Sequence, residues 1–168
     1  MSRNGEDGMI ELLVFDAGRT LGEFSGCRTH RYVAERSPLA LSVIAEECRR
    51  FLHTNPLPDR EVLEGFCHAV HVDVDVLPPH WVTGEVPQAP HEHASGFEPY
   101  PGAADAVNRM IEITGAPAVV LSNLPATTGP SQMAALRERF PMIQATYTSY
   151  GLRRRKPDVR LWQDIGDD

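Results

Sequence analysis

The stretch that most constrains the fold lies near the N-terminus, where a short apolar run meets an acid and a turn. Residues 12–15 read LLVF, and Asp16 and a glycine-containing turn follow at once. A short apolar run bounded by a turn predicts a buried strand, typical of a parallel sheet. Ligands of open α/β sheets gather beyond the carboxyl ends of the strands, and Asp16 would lie at such an end. A carboxylate there is costly to bury without partners, so it is either paired structurally or used in chemistry.

Composition and charge narrow the class of protein. The chain has 168 residues, 42% of them hydrophobic and 23% charged, which suits one domain with a small insertion. The net charge of -7 argues against a nucleic-acid partner, since backbone phosphates bind basic surfaces. No apolar run approaches the ~20 residues that span a membrane, and the polar, acidic N-terminus does not resemble a signal peptide. Three cysteines without CxxC spacing predict thiols rather than disulfides, so we expect a cytoplasmic protein.

The first half of the chain is predicted to be largely helical after the first strand, which we expect over residues 10–15. Helical spacing of apolar residues runs from residue 27 to about residue 71, with breaks at Pro38 and at residues 55–59. Asp59 is the expected N-cap of the helix that follows the second break. Residues 73–101 are rich in Pro, His and Gly, which predicts a linker or flap. We interpret His80, His91 and His93 in it as exposed, because no third metal ligand has a defined spacing.

The second half predicts alternating helices and strands. Helices are expected over residues 102–113 and 130–140, and strands over residues 118–121 and 143–147. A last helix is expected to begin at residues 156–158, with Pro157 in its first turn. This alternation predicts a parallel sheet with right-handed crossovers.

Polar side chains follow each of the three predicted strands. Asp16 ends the first strand, Ser122 and Asn123 end the second, and Lys156 follows the third. Because the carboxyl ends of parallel strands meet at one edge of a sheet, we expect these side chains to converge. A hydroxyl and a lysine beside a helix N-terminus suit an anionic ligand. Asp16 would then be the nucleophile that forms a covalent intermediate.

This pattern resembles the haloacid dehalogenase (HAD) superfamily, helical-cap subgroup. The family's first motif, an apolar strand followed by DxDGT[LV], corresponds to DAGRTL at residues 16–21. The second, an apolar strand ending in Ser or Thr, corresponds to VVLSN at residues 119–123, and the third, a lysine often within RKPD, to RKPD at residues 155–158. The resemblance implies an α/β fold with a Rossmann-like parallel sheet built from residues 9–21 and 100–168. It also implies an inserted α-helical cap over residues 22–99, which covers the pocket and selects the substrate.

The resemblance also implies roles for individual residues. Asp16 would be the nucleophile, and Ser122 would bind an oxygen of the phosphoryl group that is transferred. Lys156 would neutralise charge on Asp16 and on the phosphoryl group. The implied substrate-binding residues are Ala17, Gly18, Thr20 and Asn123. Mg²⁺ would be held by Asp16, the backbone carbonyl of Gly18 and Asp167. The substrate would be a small molecule.

Each of these residues also has a purely structural interpretation. Asp16 could cap the turn that follows it, and Ser122 with Asn123 could serve only as turn residues. Lys156 could be one more exposed base in the run at residues 153–156, which would then be a solvated surface.

Two departures from the family pattern leave the chemistry open. Phosphatases of the family carry a second Asp, the general acid/base, two residues after the nucleophile, but this chain has Gly18 there. At the next position the family prefers glycine, and this chain has Arg19. Dehalogenases of the family also lack that second acid. The family's fourth motif, an acidic strand end that completes the Mg²⁺ site, normally follows a further helix and strand, but only twelve residues follow Lys156. The alternatives are therefore a phosphatase acting on a small metabolite, a 2-haloacid dehalogenase, or a truncated or impaired member with weak Mg²⁺ binding and an exposed sheet edge.

Overall fold

The computed structural model describes residues 9–57, 59–85 and 95–166. In chain order its elements are β1 (Leu13–Phe15), β2 (Gly22–Gly26), α1 (Thr29–Ala34), α2 (Leu41–Leu52), α3 (Arg60–Ala69), a short 3-10 helix (Val74–Val76), α4 (Pro79–Thr83), β3 (Ser95–Pro99), α5 (Ala103–Thr114), β4 (Ala118–Ser122), α6 (Gly129–Arg139), β5 (Ala145–Thr148) and α7 (Arg160–Gly166). Strands and helices alternate after β3, as the sequence predicts.

The central sheet is parallel and has the strand order β1-β4-β5. Phe15 is in register with Val120, and Ser122 is in register with Thr148. The three strands therefore end at the same edge of the sheet, which is the arrangement that the sequence pattern predicted. The predicted parallel pairing of these strands is confirmed.

Strand β4 is buried along its whole length because its side chains pack on both faces of the sheet. Val120 faces a cluster that includes Val107 of α5 and Leu136 of α6. Val119 and Leu121 face the other side, where α7 covers the sheet. This alternation follows from the two-residue period of a strand, and a helix layer on each face accounts for the unbroken apolar run.

Strands β2 and β3 form a separate antiparallel pair, which the sequence analysis did not predict. The predicted architecture over residues 22–99 is a helical insertion with a linker or flap at its end. Phe24 lies opposite Phe97, and the two rings meet edge to face with centroids 5.0 Å apart. Gly22 is required by close packing, since a Cβ at this position would lie 2.2 Å from the Glu98 carbonyl oxygen.

Helices α1 to α4 lie between β2 and β3 and have a hydrophobic cluster of their own. Its fully buried members include Ile44, Leu52, Phe66 and Trp81. Asp59 caps α3 as expected, because its Oδ1 accepts a hydrogen bond of 3.1 Å from the Val62 amide. The sequence prediction of that cap is confirmed.

Two hydrogen bonds join these helices to the loop after β4. The hydroxyls of Thr29 and Thr127 lie 2.5 Å apart, and the Ala126 amide donates to the Leu52 carbonyl at 2.8 Å. Both bonds involve buried or partly buried groups, where a hydrogen bond lost is costly. They hold the ends of α1 and α2 against the sheet's carboxyl edge.

The predicted start of the last helix is wrong. Helix α7 begins at Arg160, and Pro157 lies before it in a turn rather than in the first helical turn. The Asp158 carboxylate accepts a hydrogen bond from the Arg160 amide at 3.0 Å, a local side-chain bond that competes with helix formation. Lys156 therefore lies on a turn and not at a helix N-terminus.

Other predictions concern cysteines, membrane spans and three residues that the structure does not describe. No disulfide joins the three cysteines. Within the described ranges, no helix has the length and apolar character that crossing a membrane requires. His91, His93 and Asp167 lie outside the described residues.

Candidate active site

An ion pair joins a residue of the first motif to a residue of the third. Lys156 Nζ lies 2.7 Å from Asp16 Oδ1 and also donates to the Leu121 carbonyl at 3.0 Å. The lysine side chain is 24% exposed, whereas the aspartate side chain is 48% exposed. The structure therefore brings Asp16 and Lys156 together at the carboxyl edge of β1 and β4, with the carboxylate open to solvent.

The Asn123 side chain fixes the backbone on which Lys156 lies. Asn123 Oδ1 accepts from the Lys156 amide at 2.9 Å, and Asn123 Nδ2 donates to the Lys156 carbonyl at 3.2 Å. These residues are 33 positions apart in the chain. The asparagine thus positions the lysine opposite Asp16 by binding its backbone on both sides.

Ser122 ends β4 and is 4% exposed. Its carbonyl accepts a hydrogen bond from the Ser149 amide at 3.0 Å. The Ser149 hydroxyl lies 3.2 Å from both the amide nitrogen and the carbonyl oxygen of Leu124. Ser149, fully buried after β5, therefore holds the loop after β4, a role that the sequence analysis missed although the residue follows a predicted strand.

The loop after Asp16 is a tight turn centred on Ala17. The Ala17 carbonyl accepts from the Leu21 amide at 2.9 Å, and the Arg19 amide donates to the Gly22 carbonyl at 2.8 Å. Arg19 has a φ of 65°, in the left-handed region that favours glycine. Among the described residues, none of the loop's backbone hydrogen bonds ends on the Gly18 carbonyl oxygen.

The residues near Asp16 offer a small set of oxygen ligands for a metal ion. Mg²⁺ is commonly bound through one or two carboxylates together with substrate phosphate and water. The Asp16 carboxylate and the Gly18 carbonyl, which accepts no backbone hydrogen bond from the described residues, fit the lower end of that requirement. Within the described part of the chain, no three His, Cys, Asp or Glu side chains are grouped to hold a metal ion.

A cavity of about 390 Å³ lies between the sheet's carboxyl edge and α1 and α2. Of the predicted substrate-binding residues, Gly18 and Asn123 line it, whereas Ala17 is fully buried and Thr20 is exposed outside it. The charged and polar lining residues are Arg19, Glu23, Arg28, Thr29, His30, Arg49, His53, Asn123, Thr128 and Gln132. Asp16 is not part of the lining, but Gly18 lies two residues after it.

Burial changes the chemistry of several groups in this cavity. Burial, with the nearby cations Arg155 and Arg49, lowers the pKa of His53 to about 4. Burial also lowers the pKa of His30, and it raises the pKa of the Cys48 thiol to about 12. At neutral pH His53 is therefore uncharged and Cys48 is a protonated thiol.

Two buried polar atoms of this cavity's lining residues have no hydrogen-bond partner in the described structure. They are His53 Nδ1 and Gln132 Oε1. Gln132 is only 4% exposed, and buried polar side-chain atoms usually have a hydrogen-bond partner. Neither residue could be predicted from the sequence, because nothing local marks a glutamine on α6 or a histidine after α2 as a cavity residue.

Comparisons with known proteins identify the fold. No protein-family model matches the chain, and no curated protein matches it in sequence. The crystal structure of a HAD family enzyme from Bacteroides thetaiotaomicron, in complex with magnesium and inorganic phosphate, matches with a TM-score of 0.55 and 14% identity, over 95% of this chain and 78% of that one. The magnesium complex of the same enzyme matches with a TM-score of 0.51 and 15% identity, over 96% of this chain and 78% of that one. Such low identity shows a likeness of fold alone, and on that evidence the chain has the HAD-like α/β fold.

Proposed function

We propose that the chain is a HAD-like hydrolase that removes the phosphoryl group from a small phosphorylated metabolite through an aspartyl-enzyme intermediate. The observation that carries this proposal is the 2.7 Å pair between Lys156 Nζ and Asp16 Oδ1 at the carboxyl edge of a parallel sheet. A half-exposed carboxylate beside a lysine can attack a phosphorus atom while the lysine offsets the added negative charge. Ser122 at the end of β4 is the proposed ligand of a phosphoryl oxygen.

In the first step an Asp16 carboxylate oxygen forms a bond to phosphorus, and the bond from phosphorus to the leaving-group oxygen breaks. The leaving oxygen takes a proton from water, since Gly18 offers no side chain that could donate one. Water then attacks the aspartyl phosphate, releases inorganic phosphate and restores the carboxylate. General acid/base catalysis typically contributes about 10²–10⁴-fold, so we expect a low turnover.

The proposed cofactor is Mg²⁺, held by Asp16 and the Gly18 carbonyl, with Asp167 as a further proposed ligand. When bound, it would supply positive charge to the phosphoryl oxygens. With so few protein ligands, we expect weak Mg²⁺ binding that tightens when phosphate is present. Calorimetric titration of Mg²⁺ with and without phosphate measures this, and Asp167→Asn tests the third ligand.

The proposed domain division has residues 9–21 and 100–168 as the catalytic core and residues 22–99 as a cap that selects the substrate. Its support is the separate hydrophobic cluster of α1 to α4 and the position of the cavity along their border with the core. Loops or domains that cover a site in this way exclude water and select substrates.

The test is hydrolysis of a panel of phosphate esters with Mg²⁺, together with trapping of the aspartyl phosphate. We expect Asp16→Asn to abolish both the hydrolysis and the trapped intermediate. The matched control is Asp105→Asn, an exposed acid on α5 that should leave both unchanged. Hydrolysis that survives in Asp16→Asn would overturn the assignment of the nucleophile.

A second candidate function is a 2-haloacid dehalogenase, favoured by the absence of an acid at Gly18. Here Asp16 would attack the carbon that bears the halogen, halide would leave, and water would hydrolyse the resulting ester. This reaction requires no Mg²⁺. Halide release from a 2-haloacid that persists with a chelator would favour it, and no release across a panel of such acids would exclude it.

A further inference from the structure

The lining of the cavity reverses the charge balance of the chain. The chain holds 23 acidic and 16 basic residues, yet the cavity is lined by three arginines and one carboxylate. The carboxylate, Glu23, already accepts a hydrogen bond of 2.7 Å from the Tyr100 hydroxyl. A concave region with an excess of one charge concentrates ligands of the opposite charge.

The arginines differ in how far their charge is already neutralised. Among the described residues, the Arg28 side chain donates only to the Phe24 carbonyl, at 2.9 Å, and the Arg19 side chain has no partner. Arg49 is paired with Glu46 at 2.5 Å. Arg19 and Arg28 therefore bring positive charge to the cavity with no carboxylate of the described chain to offset it.

The cavity is also lined by residues with polar atoms that lack partners. Gln132 Oε1 and His53 Nδ1 are buried and form no hydrogen bond with the described residues, and Gln132 as a whole is more than nine-tenths buried. An unsatisfied buried polar group is unfavourable unless a ligand completes it. Gln132 Oε1 is an acceptor, so only a ligand that also carries a hydrogen-bond donor would complete it.

Asp16, Ser122 and Lys156 do not line the cavity, but two lining residues connect it to them. Gly18 follows Asp16 by two residues, and Asn123 binds the backbone of Lys156. We propose, resting on the proposed function, that this cavity holds the leaving group of the substrate and that the leaving group carries a second anionic group. A carboxylate and a second phosphate share the required chemistry, because either accepts charge-assisted hydrogen bonds from Arg19 and Arg28.

The test uses three probes with the same three-carbon chain: propyl phosphate, the same ester ending in a carboxylate, and the same ester ending in a second phosphate. Their binding to the full chain carrying Asp16→Asn, which cannot form the intermediate, is measured by calorimetry at constant Mg²⁺ concentration. We expect at least one charged-tail probe to bind about tenfold or more tighter than propyl phosphate. The better of the two identifies the anion.

Matched arginine variants locate the effect. Adding Arg28→Gln should remove most of the preference, whereas Arg31→Gln, an exposed residue of α1 outside the cavity lining, should retain it. Arg49→Gln and Arg50→Gln form a second pair, since both residues lie on α2 and each pairs with a glutamate three residues earlier. Only Arg49 lines the cavity, so only its replacement should weaken the preference.

Equal affinity for the three probes, or no measurable binding of any, would overturn the inference. Loss of the preference to the same extent in Arg31→Gln would also overturn it, because the effect would then come from overall charge. The proposed function is tested separately, by hydrolysis of propyl phosphate by the unaltered chain with Mg²⁺. A chain that shows the binding preference but no hydrolysis would refute the phosphatase chemistry and leave the anion-binding cavity standing.

Discussion

Replacement of Gln132 by methionine should make the protein more stable. Gln132 lies in the first turn of α6, and its buried amide oxygen has no hydrogen-bond partner in the part of the chain that the structure describes. Methionine has a similar length and a similar helix propensity, and its flexible thioether fits irregular spaces. The variant Gln132→Met therefore removes an unpaired polar group while changing little else in the helix.

The magnitude follows from the cost of the unpaired group. A buried donor or acceptor without a partner costs about 1–3 kcal/mol. We take about 1–2 kcal/mol as the expected gain, because the longer Cγ–S and S–C bonds of methionine require some adjustment in a packed site. For a chain of this size 1 kcal/mol shifts the Tm by about 2–4 °C, so the expected rise is about 2–8 °C.

Thermal and urea denaturation followed by circular dichroism measure this change. The matched control is Gln163→Met, an exposed glutamine of α7, whose effect should stay within about 0.5 kcal/mol. A loss of stability in Gln132→Met would refute the reasoning, because it would show that the amide is satisfied in solution.

Three further predictions concern the site and its surroundings. Asn123→Ala removes both hydrogen bonds to the Lys156 backbone, so it should lower the free energy of unfolding in urea by about 1–3 kcal/mol. It should also lower kcat for phosphate esters, and an unchanged kcat would contradict the positioning role of Asn123. Arg19→Gly should raise the free energy of unfolding by about 1 kcal/mol, since φ at residue 19 is 65°, and a lower Tm would contradict it. Between pH 6.5 and about 4 the unfolded chain binds a proton at His53 that the folded chain does not bind, because the pKa of His53 is lowered to about 4 in the folded protein. The free energy of unfolding should therefore fall as the pH is lowered, by up to about 1.4 kcal/mol per pH unit. In urea titrations across this range His53→Asn should reduce the slope, and an unchanged slope would contradict the prediction.

The parts of the fold that the sequence predicted correctly are those that depend on local apolar runs. The stretches that became β1 and β4 are short, apolar and bounded by turns, and their parallel pairing followed from the alternation with helices. The approach of Lys156 to Asp16 was predicted for the same reason, since the ends of parallel strands share one edge. The start of α7 was not, because the backbone near Lys156 is bound by Asn123 from 33 residues away.

Strands β2 and β3 and the lining of the cavity depend on contacts between distant segments. The sequence of β2 is GEFSG and that of β3 is SGFEP, and neither has an apolar run or a helix period. They become strands only because Phe24 meets Phe97 across some 70 residues of chain. Gln132 and His53 likewise become cavity residues only when the ends of α2 and α6 approach each other.

The loop after Asp16 links the departure from the family pattern to the proposed specificity. Where the family prefers glycine, Arg19 takes up a left-handed backbone conformation itself, so the turn keeps its shape without glycine. A non-glycine residue in that conformation is strained by roughly 1–2 kcal/mol, and the same residue adds a cation to the cavity wall beside Gly18. Strain of this kind persists where the surrounding structure holds the backbone in the strained conformation. Here the 2.8 Å hydrogen bond from the Arg19 amide to the Gly22 carbonyl contributes to holding it. If Arg19 binds the anionic end of the leaving group, Arg19→Gly should stabilise the fold and also weaken that binding. If the Arg19 side chain only crowded the ligand, its removal would not weaken the binding.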